Sequence, residues 1–205
     1  MQRAKYQIWL SLIKRKIENK SRGLTLLGCC GAEKVLQYTC NLNITNVDVK
    51  EANAAKEYFN YLHPGLNRRN DDPVNSCLNY GYAVLRNAII RTIMLAGLLP
   101  AIGFHHDNYL NAFNLADDLI EPWRPFVDLI ALEGPGNSAV LSRQKRRELA
   151  MVLHNECFIN DHRTSVQSGI EEMVNRIRTC VMTCSSAELL LPTLLPVNVM
   201  DRIKE

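Results

Sequence analysis

An all-α helical bundle is the fold class this sequence predicts, and three observations point to it. Apolar residues recur at helical spacing over residues 4–20, 48–62 and 165–185. The segment 73–96 is apolar on most of its sides and belongs in the middle of a bundle. Proline, glycine and capping residues punctuate the segments between. At 205 residues, 47% hydrophobic and 22% charged, the chain can bury a real core and reads as one globular domain, with no repeats, low-complexity segment or domain linker.

Taken in order, residues 4–20 give an amphipathic helix with Tyr6, Trp9, Leu10, Ile13 and Ile17 as its apolar stripe and lysines and arginines opposite. A stripe this strong should pack on something. Ser21-Arg22-Gly23 is expected to break that helix, and a short helix is expected from Glu33 to about Thr39. Asn46 or Asp48 can cap the next helix, which His63-Pro64-Gly65 ends. Its wet side carries Asn53, Lys56, Glu57 and Asn60, and its dry side Ala52, Ala55, Tyr58, Phe59 and Leu62. Glu51 falls on the dry side. A carboxylate there is paired, protonated or ligating, or it lies wet at the helix start and favours the dipole.

Asp72-Pro73 supplies a cap and first residue for the long helix that stops at Gly97. Asn75, Asn79, Tyr82 and Arg86 run along it at three- or four-residue steps as one polar stripe, which either bonds neighbouring helices or lines a site. Pro122 then ends or kinks the helix holding Asp118. Leu132 to Asn137 reads as a loop, and Ser142 caps a short basic helix to about Leu153. Phe158 to Arg163 reads as irregular or a short hairpin, and Ser165 to about Ser185 as a last long helix.

The richest stretch is Gly103 to Asp128, where two histidines and several carboxylates sit among large apolar residues. On a helix Asp118 and Glu121 share one face, about 4.5 Å apart along the axis. At an effective dielectric near 20, like charges about 4 Å apart repel by roughly 4 kcal/mol. Solvation weakens that repulsion, and a divalent cation removes it. Two carboxylates, a histidine and a third carboxylate from another helix are hard and borderline donors that suit Mg²⁺ or Mn²⁺.

Other chemistries find no support. The Glu-x-x-His pairs of ferritin-like bundles are missing, as are G-x-S-x-G, the Walker A loop and G-x-G-x-x-G. The seven cysteines are odd in number with no C-x-x-C pair, which fits reduced thiols in a cytoplasm; Cys180 and Cys184 read as buried thiols. No apolar run is long enough to span a bilayer, and no membrane partner is expected. Net charge is only +3, but basic residues cluster at positions 14–22, at Arg68-Arg69, and at Arg143, Lys145, Arg146 and Arg147, which favours a polyanionic partner.

Several segments together resemble one family. Glu51-Ala-Asn-Ala-Ala-Lys-Glu-Tyr-Phe resembles the glutamate helix of CRISPR-associated protein one, the spacer-acquisition integrase, and Leu78-Asn-Tyr-Gly-Tyr-Ala-Val-Leu-Arg86 its central helix. Gly97 to His106 and Asn111 to Pro125 resemble its signature in the form seen with type II systems. Weaker resemblance runs from the first helix to Ile170–Val174. The fold implied is that family's C-terminal catalytic bundle, with connecting helices over 1–44 and the metal-site bundle over 45–205.

The resemblance implies a metal-dependent DNA endonuclease/integrase of antiviral defence that inserts short foreign DNA into a CRISPR array by transesterification. The metal ligands it implies are Glu51, His106 and Glu121, with Asp118 as a further catalytic residue one turn before Glu121 and His105 as the neighbour to test as a control. Mg²⁺ or Mn²⁺ is the cofactor implied. DNA phosphates would fall to Arg68, Arg69, Arg86, Lys145 and Arg146. The partners implied are double-stranded DNA, CRISPR-associated protein two and a homodimer; the family's dimer is built by an N-terminal β-rich domain, which these residues do not include. The other reading is a truncated, non-catalytic DNA-binding or interaction remnant of the family.

Overall fold

The computed structural model describes residues 2–132, 140–183 and 189–197. Helix α1 (Gln2–Leu26) runs in front of a short α2 (Ala32–Leu36), then α3 (Val47–Leu62) and the central α4 (Pro73–Leu95). Helices α5 (Asn114–Leu119) and α6 (Arg124–Leu132) are joined by a 3-10 turn at Glu121–Trp123, and α7 (Arg143–Ala150) follows. A hairpin, β1 (Glu156–Ile159) and β2 (His162–Ser165), leads into α8 (Val166–Thr183), and β3 (Thr193–Leu194) closes the chain. The bundle is predominantly helical as expected, with one small addition: β1 pairs antiparallel with both β2 and β3. The hairpin turns at Asn160 and Asp161, both at positive φ, a conformation Asn and Asp tolerate.

Two groups of helices meet along α6 and the 121–123 turn. On one side α1 packs on α2, α3, α6, β3 and that turn; on the other α4 packs on α5, α6, α7 and α8. The core runs through both, with Leu12, Ile13 and Ile17 of α1, Leu85 and Ile89 of α4, and Trp123 and Phe126 all buried. Where α4 crosses α6, Gly81 lets the backbones close: a Cβ there would lie 2.4 Å from a Val127 methyl.

Local chemistry accounts for the helix ends. The Asp72 side chain accepts from Val74 N at 2.7 Å with Pro73 in the first turn, and Gly97 (φ +73°) ends the helix in the left-handed region. Ser142 accepts from Lys145 N.

Three expectations are corrected. The first helix does not break at Ser21-Arg22-Gly23 but continues to Leu26. Tertiary bonds hold it there: Ser21 Oγ donates to Ala32 O and Arg22 Nε to Leu194 O, and Gly23 packs beside Leu194 and Tyr58. The buried face of α3 is centred on Val47, Ala54 and Tyr58, whereas Ala52 is exposed. The cations of α1 do not all lie opposite its apolar stripe, because Lys16 and Lys20 are buried while Tyr6 is exposed. Glu133 to Asn137 of the expected loop, and Cys184, lie outside the described residues.

Candidate metal centre

The break at Pro122 decides where Glu121 points. Proline has no amide to extend α5, so the chain turns through the 3-10 segment and Trp123 N bonds Ile120 O at 2.9 Å. Asn19 of α1 fixes the turn from beneath: its Nδ2 donates to Pro122 O at 2.9 Å and to Pro192 O at 3.0 Å, and its Oδ1 accepts from Leu194 N. Glu121 is thereby aimed at α1, buried, between two cations.

Those cations are Lys16 and Arg124. Arg124 Nε donates to Glu121 Oε1 at 3.0 Å. Lys16 Nζ pairs with Glu121 Oε2 and, at 2.5 Å, with Glu51 Oε1. One ammonium from α1 therefore sits between carboxylates from α3 and the 121–123 turn. Burial alone would raise the Glu121 pKa; Lys16 and Arg124 outweigh it and hold the carboxyl at about 2. Burial alone would likewise lower that of Lys16, and Glu121 and Glu51 turn the shift upward. Both groups stay charged.

Asp118 has a different part. It is fully buried, and its Oδ2 accepts from the backbone N–H of Phe104 at 2.5 Å and of His105 at 3.0 Å. Its Oδ1 accepts from His106 N at 3.2 Å and lies 2.6 Å from His106 Nδ1. Three consecutive amides and an imidazole thus converge on one carboxylate. Gly103 is what allows it: a Cβ there would be 2.4 Å from His106 O and 2.8 Å from Asp118 Oδ2. The hydrogen bond that His106 Nδ1 donates to Asp118 raises the His106 pKa against a partial burial that would lower it, and the Asp118 and Glu121 charges add to the rise. With Nδ1 engaged by the carboxylate, Nε2 is the ring nitrogen left for a cation.

The rest of the loop wraps on Asn114, whose Nδ2 donates to the carbonyls of Ala101, Asn108 and Asn111 and whose Oδ1 accepts from Asn108 N and Asn111 Nδ2. His105 turns the other way. Its ring stacks on Trp9 with centroids 4.2 Å apart and planes within 4°, and its Nε2 is 3.5 Å from Asp48 Oδ1. Trp9 also meets the His106 ring edge-on, with centroids 5.9 Å apart, so the two histidines share Trp9 and differ in their carboxylate partners, Asp48 and Asp118.

Beside this centre lies a second buried cluster. Lys20, next to the rings of Tyr58 and Phe59, has its pKa brought down to about 7 by burial and then by Lys16. Asp128 accepts from Tyr82 Oη, and burial pushes its carboxyl upward.

The polar stripe of α4 bonds its neighbours: Asn75 and Asn79 accept from Arg68, Tyr82 donates to Asp128, and Arg86 is bidentate to Asp117 at 2.5 and 3.0 Å. Of the basic residues singled out for phosphate, Arg68 is held by those asparagines between the rings of Phe59 and Tyr82, Arg86 by Asp117, and Lys145 by Ile130 O at 2.7 Å. Arg69 and Arg146 are exposed.

The structure thus brings Glu51 and Glu121 onto one cationic point and sets His106 on Asp118 alongside. Among the described residues no three His, Cys, Asp or Glu side chains close on one point; the ammonium of Lys16 takes the shared position between the carboxylates. The donor set fits a hard divalent cation. Two carboxylate oxygens from separate elements already meet on a positive charge, and a histidine presents an unengaged nitrogen. Lys16 and Asn114 were missed in the sequence. The available signal was spacing: Leu12, Lys16 and Lys20 follow at steps of four, on the face that carries Ile13 and Ile17.

A family model described as CRISPR associated protein Cas1 matches residues 11–157. A CRISPR-associated endonuclease Cas1 of Neisseria meningitidis is 37% identical over 200 residues, covering 95% of this chain and 66% of that relative. Among solved structures, a casposase bound to integration product superposes with a TM-score of 0.72 at 20% identity, over 92% of this chain and 64% of that one. A Cas6-RT-Cas1–Cas2 complex superposes at 0.67 and 17% identity, over 94% of this chain and 25% of that one. At those identities the structural likenesses carry the fold alone. The chain spans about two thirds of the length of the Neisseria relative. Among the described residues no helix is long and apolar enough to cross a membrane.

Proposed function

This chain belongs to the Cas1 family, and on that premise we propose that it carries the catalytic centre of a metal-dependent DNA integrase and endonuclease acting in the cytoplasm. The observation that carries the reading is the meeting of Glu51 and Glu121, from separate elements, on a single cation position, with the charge of Glu121 felt at His106. Glu51, Glu121 and His106 Nε2 would hold Mg²⁺ or Mn²⁺. Bound there, such a cation supplies charge neutralisation at a phosphodiester and a lowered pKa for an attacking hydroxyl.

The protein's own groups do the remainder. Asp118 keeps the Nδ1 side of His106 engaged and the ring turned, and Arg124 fixes one oxygen of Glu121 so that the other faces the site. In the strand transfer proposed, a DNA 3′-oxygen forms a new P–O bond as a P–O bond of the target breaks. The attacking hydroxyl loses its proton, and the released strand end gains one. Ester bonds are conserved, so no energy source is needed. With water as nucleophile the same geometry gives hydrolysis. Exposed arginines such as Arg69 and Arg146 would meet phosphates, so binding should fall steeply with salt. Double-stranded DNA is the proposed substrate. One structural neighbour is a Cas6-RT-Cas1–Cas2 complex, and a Cas2-type partner, with a homodimer of this chain, is part of the proposal.

The purified chain with Mn²⁺ is expected to join a labelled DNA end to a repeat-containing plasmid, and Glu51→Ala to lower that rate by at least about 10³-fold, since several kcal/mol of charge stabilisation go with the cation. No joining at any protein concentration, with DNA binding intact, would favour a non-catalytic DNA-binding module.

A further inference from the structure

We propose that Lys16 is a displaceable counter-ion: its ammonium holds Glu51 and Glu121 together until a divalent cation binds and must then leave. The inference rests on the metal-centre reading above and adds a competitor to it.

The argument is one of position. Lys16 Nζ contacts Glu51 Oε1 and Glu121 Oε2 at once. A divalent cation held by those two carboxylates would need the space that the ammonium fills. Both cannot occupy it. The second oxygen of Glu121 is taken by Arg124, so turning the carboxylate offers no free alternative. Lys16 is itself buried, with 7% of its surface exposed, and reaches the site from α1, an element that supplies none of the three proposed ligands. Without it the two carboxylates would face each other inside the protein, with Arg124 and, one turn along α1, Lys20 left to offset them. The lysine therefore assembles the site before the metal arrives and opposes the metal's entry. A four-carbon stem with rotatable bonds suits a group that must swing away; a guanidinium fork would hold more firmly.

Lys16→Met separates the two effects, because the thioether keeps the stem's bulk and drops the charge. Calorimetric titration with Mn²⁺ is expected to show the variant binding roughly tenfold or more tightly than the parent chain, within the range of ordinary coupling between competing ligands. In EDTA the variant should melt at a lower temperature than the parent, and Mn²⁺ should raise its melting temperature by more than it raises the parent's. Should Lys16→Met be too unstable to titrate, Lys16→Met with Glu121→Gln, which removes both charges, should restore stability in EDTA. Equal or weaker Mn²⁺ binding by Lys16→Met overturns the displacement inference and leaves the metal centre standing. If neither chain binds Mn²⁺, the metal-centre reading falls, and the inference with it.

Discussion

Asp118→Ala is expected to destabilise the protein by about 3–5 kcal/mol, the scale for removing one partner from a buried charged network. The carboxylate is fully buried and accepts from the amides of Phe104, His105 and His106. Alanine leaves those donors without an acceptor and frees the imidazole they position. Urea denaturation should show a lower midpoint with little change in slope. Asp118→Asn is the informative partner, since it keeps the volume and one carbonyl acceptor while removing the charge. His106 has a raised pKa in the parent chain, first through its bond to Asp118. A raised folded-state pKa contributes stability that is fully present below the unfolded value near 6.5 and is lost as pH rises through the folded value. The asparagine variant should show less of that dependence, and the His106 titration followed by NMR should move down in pH. Mn²⁺ binding should follow the opposite slope, weakening as pH falls and the proton competes for the ring.

Glu121→Ala has the second large effect. It leaves buried Lys16 with Glu51 alone and takes from half-buried Arg124 its carboxylate partner. Breaking a buried pair from one side costs about 3–5 kcal/mol. The sign of its pH dependence is fixed by the direction of the shift. The Glu121 carboxyl, ordinarily near 4.5, is held at about 2 after burial is outweighed by Lys16 and Arg124. Its contribution, on the order of 3 kcal/mol, is present above pH 4.5 and lost as pH falls toward 2. Denaturation of the parent and Glu121→Gln at pH 7 and pH 3 should therefore give a stability gap that narrows in acid.

Much of this centre was legible because its proposed ligands break the pattern of their surroundings. Glu51 interrupts an apolar face, and Asp118 and Glu121 stand three residues apart beside a proline. The break at Pro122, the cap at Asp72 and the stop at Gly97 follow from backbone chemistry that needs no tertiary information. Lys16 was illegible for the opposite reason. A lysine among lysines and arginines reads as a solvated face, and only the arrival of Glu51 and Glu121 from elsewhere makes its burial tolerable. The same holds for the continuation of α1 past Ser21, which depends on bonds to Ala32 and Leu194, and for the role of Asn114, whose partners belong to a loop that it shapes. The β1–β2 hairpin showed as a stretch, Phe158 to Arg163, that is irregular or a short hairpin. Its strands are four residues each, and its third strand comes from the far end of the chain.

Calorimetric titration of Mn²⁺ into the parent chain, His106→Ala and His105→Ala tests the central claim most directly. The two histidines are adjacent in sequence and both touch Trp9, but His106 pairs with buried Asp118 and His105 with exposed Asp48. The account predicts one site in the parent, a loss of about 100-fold or more in His106→Ala, since even the partner of a ligand is worth 10–100-fold, and near-parental affinity in His105→Ala. Unchanged affinity in His106→Ala, or a loss confined to His105→Ala, would contradict it.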